Sequence, residues 1–202
     1  PYDPHRFRVI ADAMGVVPVV SAALGPVAGF PAGRLVASHY TVMTRELSQI
    51  MVAGPAVVER ALGLSLSKEE LGGADVHARS GLVDHVADTE ADAFARMRMF
   101  LSYLPDNVWE HAERIATDDP VDRMEEKLLS IVPRNRRHAF KVETVVKAVV
   151  DKGSFFPLAE GYGKSLLIGL ARINGQSVGI TANDCRFLAG AMTMEAAQKM
   201  RR

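Results

Sequence analysis

Apolar residues recur at helical spacing in several stretches of the chain. Residues 7–14 carry apolar side chains three and four positions apart and end before Gly15, which predicts a short helix. Ser67 and Glu70 have the spacing of a capping box, so a further helix is expected to begin there. Similar patterns predict the other helices at residues 34–38, 56–62, 88–104, 123–131 and 142–150.

Apolar runs between these helices predict strands. Residues 16–24 are rich in β-branched side chains and predict a buried strand that ends at Gly25. Asn174-Gly175 separates two apolar runs, which is a strong signal for a β-hairpin. The other strands are predicted at residues 40–44, 49–52, 166–173 and 177–181. Short strands that alternate with helices and Gly-rich turns are typical of the α/β class.

Composition narrows the classes of function. The 202 residues include 24 Lys and Arg and 24 Asp and Glu, so the formal net charge is zero. This balance excludes the overall basic character of a nucleic-acid-binding protein, and no stretch reaches the roughly 20 consecutive apolar residues of a membrane helix. The single cysteine, Cys185, can form neither an internal disulfide nor a zinc site by itself. We therefore expect neither nucleic acid nor a membrane among the partners.

The Gly- and Pro-rich loop at residues 25–33 is the best candidate for chemistry. Small residues after a strand let the backbone approach a ligand, and N–H groups that lead into a helix are unpaired donors. Such donors suit an oxyanion, either a thioester enolate or a tetrahedral intermediate. The alternative is a tight turn that only packs against a neighbouring element. The loop has neither the Gly-Lys-Ser/Thr of a phosphate-binding loop nor the G-x-G-x-x-G fingerprint of a dinucleotide site.

The histidines and the cysteine offer weaker signals. None of the six histidines shows metal-binding spacing. His77 and His85 flank Ser80, but no G-x-S-x-G pattern surrounds that serine, so we interpret the histidines as surface or capping residues. Only Arg186 stands beside Cys185 as a positive charge, which favours a passive thiol.

A series of short motifs occurs in the order and spacing of one known family. In the first half these are Gly25-Pro-Val-Ala-Gly29, Gly54-Pro-Ala-Val-Val58, Glu69-Glu-Leu-Gly-Gly-Ala74, His77 and Ser80-Gly-Leu-Val-Asp84. In the second half they are Leu129-Ser-Ile-Val-Pro133, Val149-Val-Asp151, Phe155-Phe156, Gly169-Leu-Ala-Arg-Ile-Asn-Gly175, Val178-Gly-Ile180 and Ala196-Ala-Gln-Lys199. Together they resemble the carboxyltransferase (β) subunits of biotin-dependent acyl-CoA carboxylases, such as propionyl-CoA and methylcrotonyl-CoA carboxylase.

The resemblance implies a crotonase-like (ClpP/crotonase) α/β fold with two such domains in each subunit. Residues 1–105 would be the C-terminal part of the acyl-CoA-binding domain, residues 106–120 a linker, and residues 121–202 the beginning of the carboxybiotin-binding domain. The given sequence begins with Pro1 instead of Met. By the resemblance, it lacks the family's segment upstream of Gly25 that would hold much of the CoA site, and the family's segment after Arg202. We therefore expect an internal portion of a longer subunit.

The resemblance also implies the site. The backbone N–H groups of Gly29 and Phe30 would form an oxyanion hole, and no metal is expected. Four further residues would contact the substrate, namely Gly25, Ala28, Gly72 and Gly73.

Two departures from the family pattern bear on that site. Phe30 stands where the family has a second glycine, and the next residue, Pro31, has no N–H to donate. The side chain of Phe30 would crowd a small acyl group or line a pocket for a different one. The family's Tyr-Asp-x-Arg element reads Phe140-Lys-Val-Glu143, so two charges are reversed in sign and their partners must differ.

The activity implied is carboxyl transfer between carboxybiotin and an acyl-CoA through an enolate. The cofactors would be biotin, carried by a partner, and a CoA thioester as substrate. The partners would be a biotin carboxylase or biotin carboxyl carrier subunit and further copies of the chain, as in the family's hexamers. The place of action would be the cytoplasm, or the mitochondrial matrix in a eukaryote. The alternatives are a biotin-dependent decarboxylase or transcarboxylase, a changed acyl specificity, and a non-catalytic paralogue that acts in assembly.

Overall fold

The computed structural model describes residues 6–135 and 137–202, and the chain divides into two compact units. Unit 1 ends at His111 and unit 2 begins at Ala112. This division falls inside the segment 106–120, where the sequence predicts a linker.

Unit 1 alternates helices with short strands. In chain order its elements are α1 (Arg6–Met14), β1 (Val20–Ala23), β2 (Val27–Ala28), α2 (Phe30–Val36), β3 (Tyr40–Thr44), β4 (Ile50–Met51), α3 (Pro55–Leu62), α4 (Lys68–Gly72), α5 (Ala74–Ser80), β5 (His85–Ala87) and α6 (Glu90–Leu101). Strands β1, β3 and β5 form a parallel sheet in that order, and β2 pairs with β4 in a second, two-stranded parallel sheet. Parallel neighbours need crossover connections, which explains why helices stand between the strands.

The core of unit 1 lies between α2 and the three-stranded sheet. Every residue of β3 is buried, as expected for a central parallel strand. Ala32 and Leu35 of α2 pack in one apolar cluster with Ala23 and Met43 of the sheet. The buried side of α2 therefore fixes this helix on the sheet, and its first residue directly follows the end of β2 and Gly29.

Two predictions for unit 1 need correction. The strand predicted at residues 16–24 is confined to Val20–Ala23, because Val16 and Val17 form the turn after α1 through hydrogen bonds to the Ala13 carbonyl. Helix α2 begins at Phe30 and not at residue 34, since proline suits a first helical turn. The pattern did not reveal β2, α5 or β5, which are short.

Unit 2 is built around an antiparallel sheet. Its elements are α7 (Leu128–Ile131), α8 (Val142–Val149), β6 (Phe156–Leu158), β7 (Leu166–Ile173), β8 (Gln176–Asn183), a short 3₁₀ helix (Leu188–Gly190) and α9 (Met194–Arg201). The strand order is β6-β7-β8, and β7 pairs with β8 along their full length. The predicted hairpin is confirmed, with positive φ at both Asn174 (51°) and Gly175 (75°), as a two-residue turn requires.

The helix predicted at residues 123–131 is wrong over its first half. Only Leu128–Ile131 is helical. The Arg123 guanidinium is nearly buried, lies 2.9 Å from a carboxylate oxygen of Asp119 and donates to the Val150 carbonyl at 2.7 Å. The contacts of Arg123 with Asp119 and with the end of α8 hold residues 123–127 in a non-helical conformation, which the spacing of apolar residues does not reveal.

Candidate functional site

The loop between β2 and α2 is shaped by its pairing with β4. The N–H of Val27 donates to the Gln49 carbonyl at 2.7 Å, and the N–H of Gly29 donates to the Met51 carbonyl at 3.0 Å. Gly29 has φ 68° and ψ −138°, a conformation that only glycine adopts without strain. Because ψ of Gly29 sets the plane of the next peptide, this glycine also sets the direction of the Phe30 N–H.

The first turn of α2 leaves one backbone donor free. Pro31 has no N–H, and the N–H groups of Ala32 and Gly33 both donate to the Gly29 carbonyl, at 3.0 and 3.3 Å. Among the described residues, the Phe30 N–H has no acceptor. An exposed free N–H at a helix start is available to an anionic oxygen.

The expected pair of donors therefore narrows to one. Gly29 was expected to donate to an oxyanion, but its N–H is bonded within the sheet to Met51. Of these two residues, Phe30 is the one whose N–H has no acceptor in the described part of the chain, and its role as a donor stays a prediction. The sequence did not reveal this difference, because the register of β2 against β4 is a long-range property.

The Phe30 side chain lies against α1. Its ring and that of Phe7 meet edge to face with centroids 4.7 Å apart, and 43% of Phe30 remains exposed. The Phe7 ring also lies over Gly33, where a Cβ would come within 3.1 Å of it. The ring that stands where the family has a glycine therefore packs against α1 beside the candidate donor.

Gly72 and Gly73 are packed against β4 and the end of α4, away from solvent. Both are buried, and a Cβ at Gly72 would overlap the carbonyl oxygen of Ile50. A Cβ at Gly73 would come within 2.6 Å of the Glu69 carbonyl, and Gly73 forms an antiparallel bridge with Gln49. Buried against backbone in this way, these glycines support β4. We therefore revise the expectation that they contact the substrate.

Gly25 and Ala28 differ from these two glycines. Gly25 is half-buried with open space where a Cβ would stand, and Ala28 is exposed beside Gly29. Their contact with a substrate stays a prediction that the geometry permits.

An apolar groove of about 400 Å³ begins at the first turn of α2. Its described lining residues carry apolar side chains except for His77. Ala32 and Gly33 line the groove at one end, and Val52, whose carbonyl lies near Gly29, lines it beside the loop. The free donor and an apolar surface thus lie close together, which is the composition of a small-molecule site.

A comparison with protein-family models identifies the family of this chain. Residues 5–202 match the model of the carboxyl transferase domain. The chain belongs to the carboxyl transferase domain family.

Relatives of this carboxyl transferase domain match nearly all of the chain. The propionyl-CoA carboxylase carboxyltransferase subunit of Haloferax mediterranei is 38% identical over 96% of this chain and 38% of the relative. The methylmalonyl-CoA decarboxylase subunit alpha of Veillonella parvula is 34% identical over 95% of this chain and 38% of the relative. The crystal structure of transcarboxylase 12S with hydrolyzed methylmalonyl-coenzyme A bound has a TM-score of 0.90 at 30% identity, and covers 96% of this chain and 38% of that one.

Two conclusions follow from these matches. The predicted crotonase-like α/β fold is confirmed. The chain spans less than two fifths of the length of each of these three relatives.

Within this carboxyl transferase domain, two histidines are not the surface residues that we expected. His85 is buried, and its Nδ1 lies 2.8 Å from the Tyr40 hydroxyl; burial, followed by the nearby Asp84, raises the pKa of Tyr40. The half-buried His77 ring bonds the Ile50 carbonyl through Nε2 at 2.6 Å. Ser80 Oγ donates to the His77 carbonyl and not to its ring, so these two residues form no serine–histidine nucleophile.

The reversed charges of the Phe140–Glu143 element pair locally in unit 2. Glu143 accepts from Lys147 at 2.5 Å and from Lys141 at 2.9 Å. The Lys147 hydrogen bond is the main reason that the pKa of Glu143 is lowered. The two reversed charges, Lys141 and Glu143, therefore pair with each other within unit 2, and Lys147 is a second partner of Glu143.

Cys185 and the acidic residues offer no further centre. Cys185 is half-buried between the N–H and the carbonyl of Phe140, at 3.4 and 3.5 Å, while Arg186 pairs with Asp184. In the described part of the chain no group of three His, Cys, Asp or Glu side chains could hold a metal ion. None of the helices there combines the length and apolar character that a membrane crossing requires.

Proposed function

We propose that this chain takes part in carboxyl transfer between carboxybiotin and the α-carbon of an acyl-CoA. The observation that carries the proposal is the free N–H of Phe30, held at the edge of an apolar groove in a carboxyl transferase domain. The names of the relatives support it, since they are a propionyl-CoA carboxylase subunit and a methylmalonyl-CoA decarboxylase subunit.

The reaction needs a donor to a developing negative charge. The α-carbon of the thioester loses a proton, and the electron pair is stabilised as an enolate with its charge on the thioester oxygen. The enolate carbon then bonds the carboxyl carbon, the bond from that carbon to the biotin nitrogen breaks, and the nitrogen takes up the proton. A backbone N–H aimed at the enolate oxygen stabilises this intermediate more than the neutral thioester.

The residues of the loop have distinct parts in this proposal. Phe30 donates its N–H to the thioester oxygen, and Gly29 sets the direction of that N–H. The groove that begins at Ala32 and Gly33 receives the acyl group, and the Phe30 ring, packed against Phe7, stands beside the donor. Gly25 and Ala28, in the same loop, contact the substrate.

The remaining requirements lie with partners. Biotin would be carried by a biotin carboxyl carrier subunit and charged by a biotin carboxylase. Further copies of the chain would assemble with it; the transcarboxylase 12S structure is described as a hexamer assembly. The cytoplasm, or the mitochondrial matrix in a eukaryote, stays a prediction.

Two variants of Phe30 test the donor. Phe30→Gly removes the ring and keeps the N–H, whereas Phe30→Pro removes both, and proline suits the first position of a helix. We expect Phe30→Pro to lower kcat at least a hundredfold relative to Phe30→Gly in the enzyme assembled with its biotin-bearing partners. Equal rates for the two variants would show that this N–H is not the donor.

A comparison of Phe30→Gly with the wild-type protein separates the alternatives. Faster transfer to small acyl-CoA substrates in Phe30→Gly than in the wild type indicates that the ring sets acyl specificity. If neither protein transfers a carboxyl group to or from any acyl-CoA, the catalytic proposal fails and a role in assembly is favoured. The decarboxylase and transcarboxylase alternative has the support of the Veillonella relative. An assay for transfer of the carboxyl group from methylmalonyl-CoA to biotin tests it directly.

A further inference from the structure

We propose that His77 is a positioning residue for the Phe30 N–H, acting through the Ile50 carbonyl and strand β4. The contacts that link His77 to Phe30 stand by themselves, and the catalytic consequence rests on the proposed function of Phe30.

The first link is the hydrogen bond between His77 Nε2 and the Ile50 carbonyl, at 2.6 Å. A carbonyl oxygen only accepts, so Nε2 must carry the proton in this bond. The ring lies half-buried in the apolar groove, where competition from water is reduced and the bond is correspondingly stronger.

The second link is the close packing of the same segment on β4. Gly72 has no room for a Cβ against the Ile50 carbonyl, and Gly73 bridges Gln49. The Gln49 side chain also donates to Glu69 at 2.9 Å. The junction of α4 and α5 thus holds the backbone of β4 through several contacts, of which the His77 bond is the one made by a side chain to Ile50.

The third link runs from β4 to the donor. In the described part of unit 1, β2 pairs with β4 and with no other strand, and each has two residues. The Gln49 and Met51 carbonyls accept from Val27 and Gly29, so a displacement of β4 moves Gly29 and with it the Phe30 N–H. A displacement of 1 Å at a reacting group is enough to change a rate on the order of a hundredfold.

Three variants test the proposal. His77→Phe keeps the ring and removes the donor, whereas His77→Gln places an N–H close to the position of Nε2. Ser80→Ala is the matched control, since Ser80 lies in the same helix and its hydroxyl donates to the His77 carbonyl and not to the His77 ring.

The structural readout is amide hydrogen exchange in the full chain, with the amides of β3 as the reference for global unfolding. We expect the Gly29 amide to exchange about tenfold faster in His77→Phe than in the wild type, and at the wild-type rate in His77→Gln and Ser80→Ala. Unchanged Gly29 exchange in His77→Phe would overturn the proposal. So would a change in which the β3 amides follow Gly29 to the same extent, because His77 would then act on overall stability.

The catalytic readout is kcat and KM for the acyl-CoA in the assembled enzyme. We expect His77→Phe to lower kcat on the order of tenfold or more with little change in KM, and His77→Gln to restore kcat. If His77→Gln lowered kcat as much as His77→Phe does, positioning by a hydrogen bond would be contradicted.

The two proposals can fail separately. If Gly29 exchange responds to His77 while Phe30→Pro and Phe30→Gly remain equally active, the positioning contacts stand and the function of Phe30 fails. If Phe30→Pro is inactive while His77→Phe keeps the wild-type kcat, the donor stands and the role of His77 fails.

Discussion

The β2–α2 loop of unit 1 and the β7–β8 hairpin of unit 2 both turn at a glycine with positive φ, but they differ in what their backbone N–H groups bond. Each contains a glycine with positive φ, 68° at Gly29 and 75° at Gly175. In the hairpin, the N–H groups of Asn174 and Gly175 both donate to the Asp151 carboxylate, at 2.8 and 2.7 Å. In the loop, the Phe30 N–H is left without an acceptor among the described residues.

The supports of the two turns differ as well. The hairpin has eight paired residues in each of its strands, which are adjacent in the chain. The loop has a two-residue strand that depends on β4, and β4 depends in turn on α4 and α5. The hairpin turn is held by two long strands and both of its N–H groups bond Asp151, whereas the turn with the free donor is held by a two-residue strand that itself needs support from distant residues.

The largest expected effect is the loss of that distant support. Gly72→Ala forces a Cβ into the Ile50 carbonyl, so we expect the free energy of unfolding of unit 1 to fall by about 3 kcal/mol. Chemical denaturation followed by exchange of the β3 amides measures it. Gly25→Ala, also in unit 1, is the control, since a Cβ there meets nothing within 4 Å and should change stability by less than about 0.5 kcal/mol. Equal losses in the two variants would contradict the role given to Gly72.

The β7–β8 hairpin can be weakened by removing the Asp151 carboxylate, which accepts both N–H groups of its turn. Asp151→Ala leaves the turn N–H groups without their acceptor, and we expect the free energy of unfolding of unit 2 to fall by about 2 kcal/mol. Asp151→Asn retains one acceptor oxygen and should lose about half as much. Denaturation followed by exchange of the β7 amides measures the stability of both variants. If Asp151→Asn lost as much stability as Asp151→Ala, the hydrogen bonds to the turn would not be its source.

A smaller effect is expected at the start of α4, the helix that ends in Gly72. Ser67 accepts from the Glu70 N–H at 3.2 Å and both partners of the capping box are present. Ser67→Ala should lower the stability of unit 1 by about 1 kcal/mol, measured by thermal unfolding. Ser80→Ala makes no cap and should lower it by clearly less; the reverse order would show that the cap does not stabilise α4.

The smallest effect is expected at Glu143, whose ion pairs lie on the surface of unit 2. Its pKa is lowered chiefly by Lys147, so the stabilisation is present above the usual value of 4.5 and is lost as the pH falls through the lowered pKa. We expect Glu143→Gln to cost about 0.5 kcal/mol at pH 7 and nothing at pH 2. Denaturant titrations at the two pH values check this, and a cost that persists in acid would mean that charge is not its source.

Where interactions are local, residues of the sequence predicted the structure. Asn174 and Gly175 indicated the hairpin because positive φ is required there, and Ser67 with Glu70 indicated a helix start because the two residues bond each other. The pattern failed at Arg123, where burial against Asp119 and Val150 overrides helical spacing. A strand was predicted over β4, but β2 and its pairing with β4 were missed, since two residues are too few for a periodicity.

The order of the glycine motifs was enough to place the chain in the carboxyl transferase domain family and to point to the loop at residues 25–33. The balanced composition gave no reason to expect nucleic acid or a membrane as a partner, and it did not locate the site. Which N–H of that loop is free was decided only by the tertiary structure, because the pairing of Gly29 with Met51 joins residues that are 22 positions apart. The role of Gly72 was likewise invisible, since a glycine shows its purpose only when the backbone packed against it, here the carbonyl of Ile50, is known.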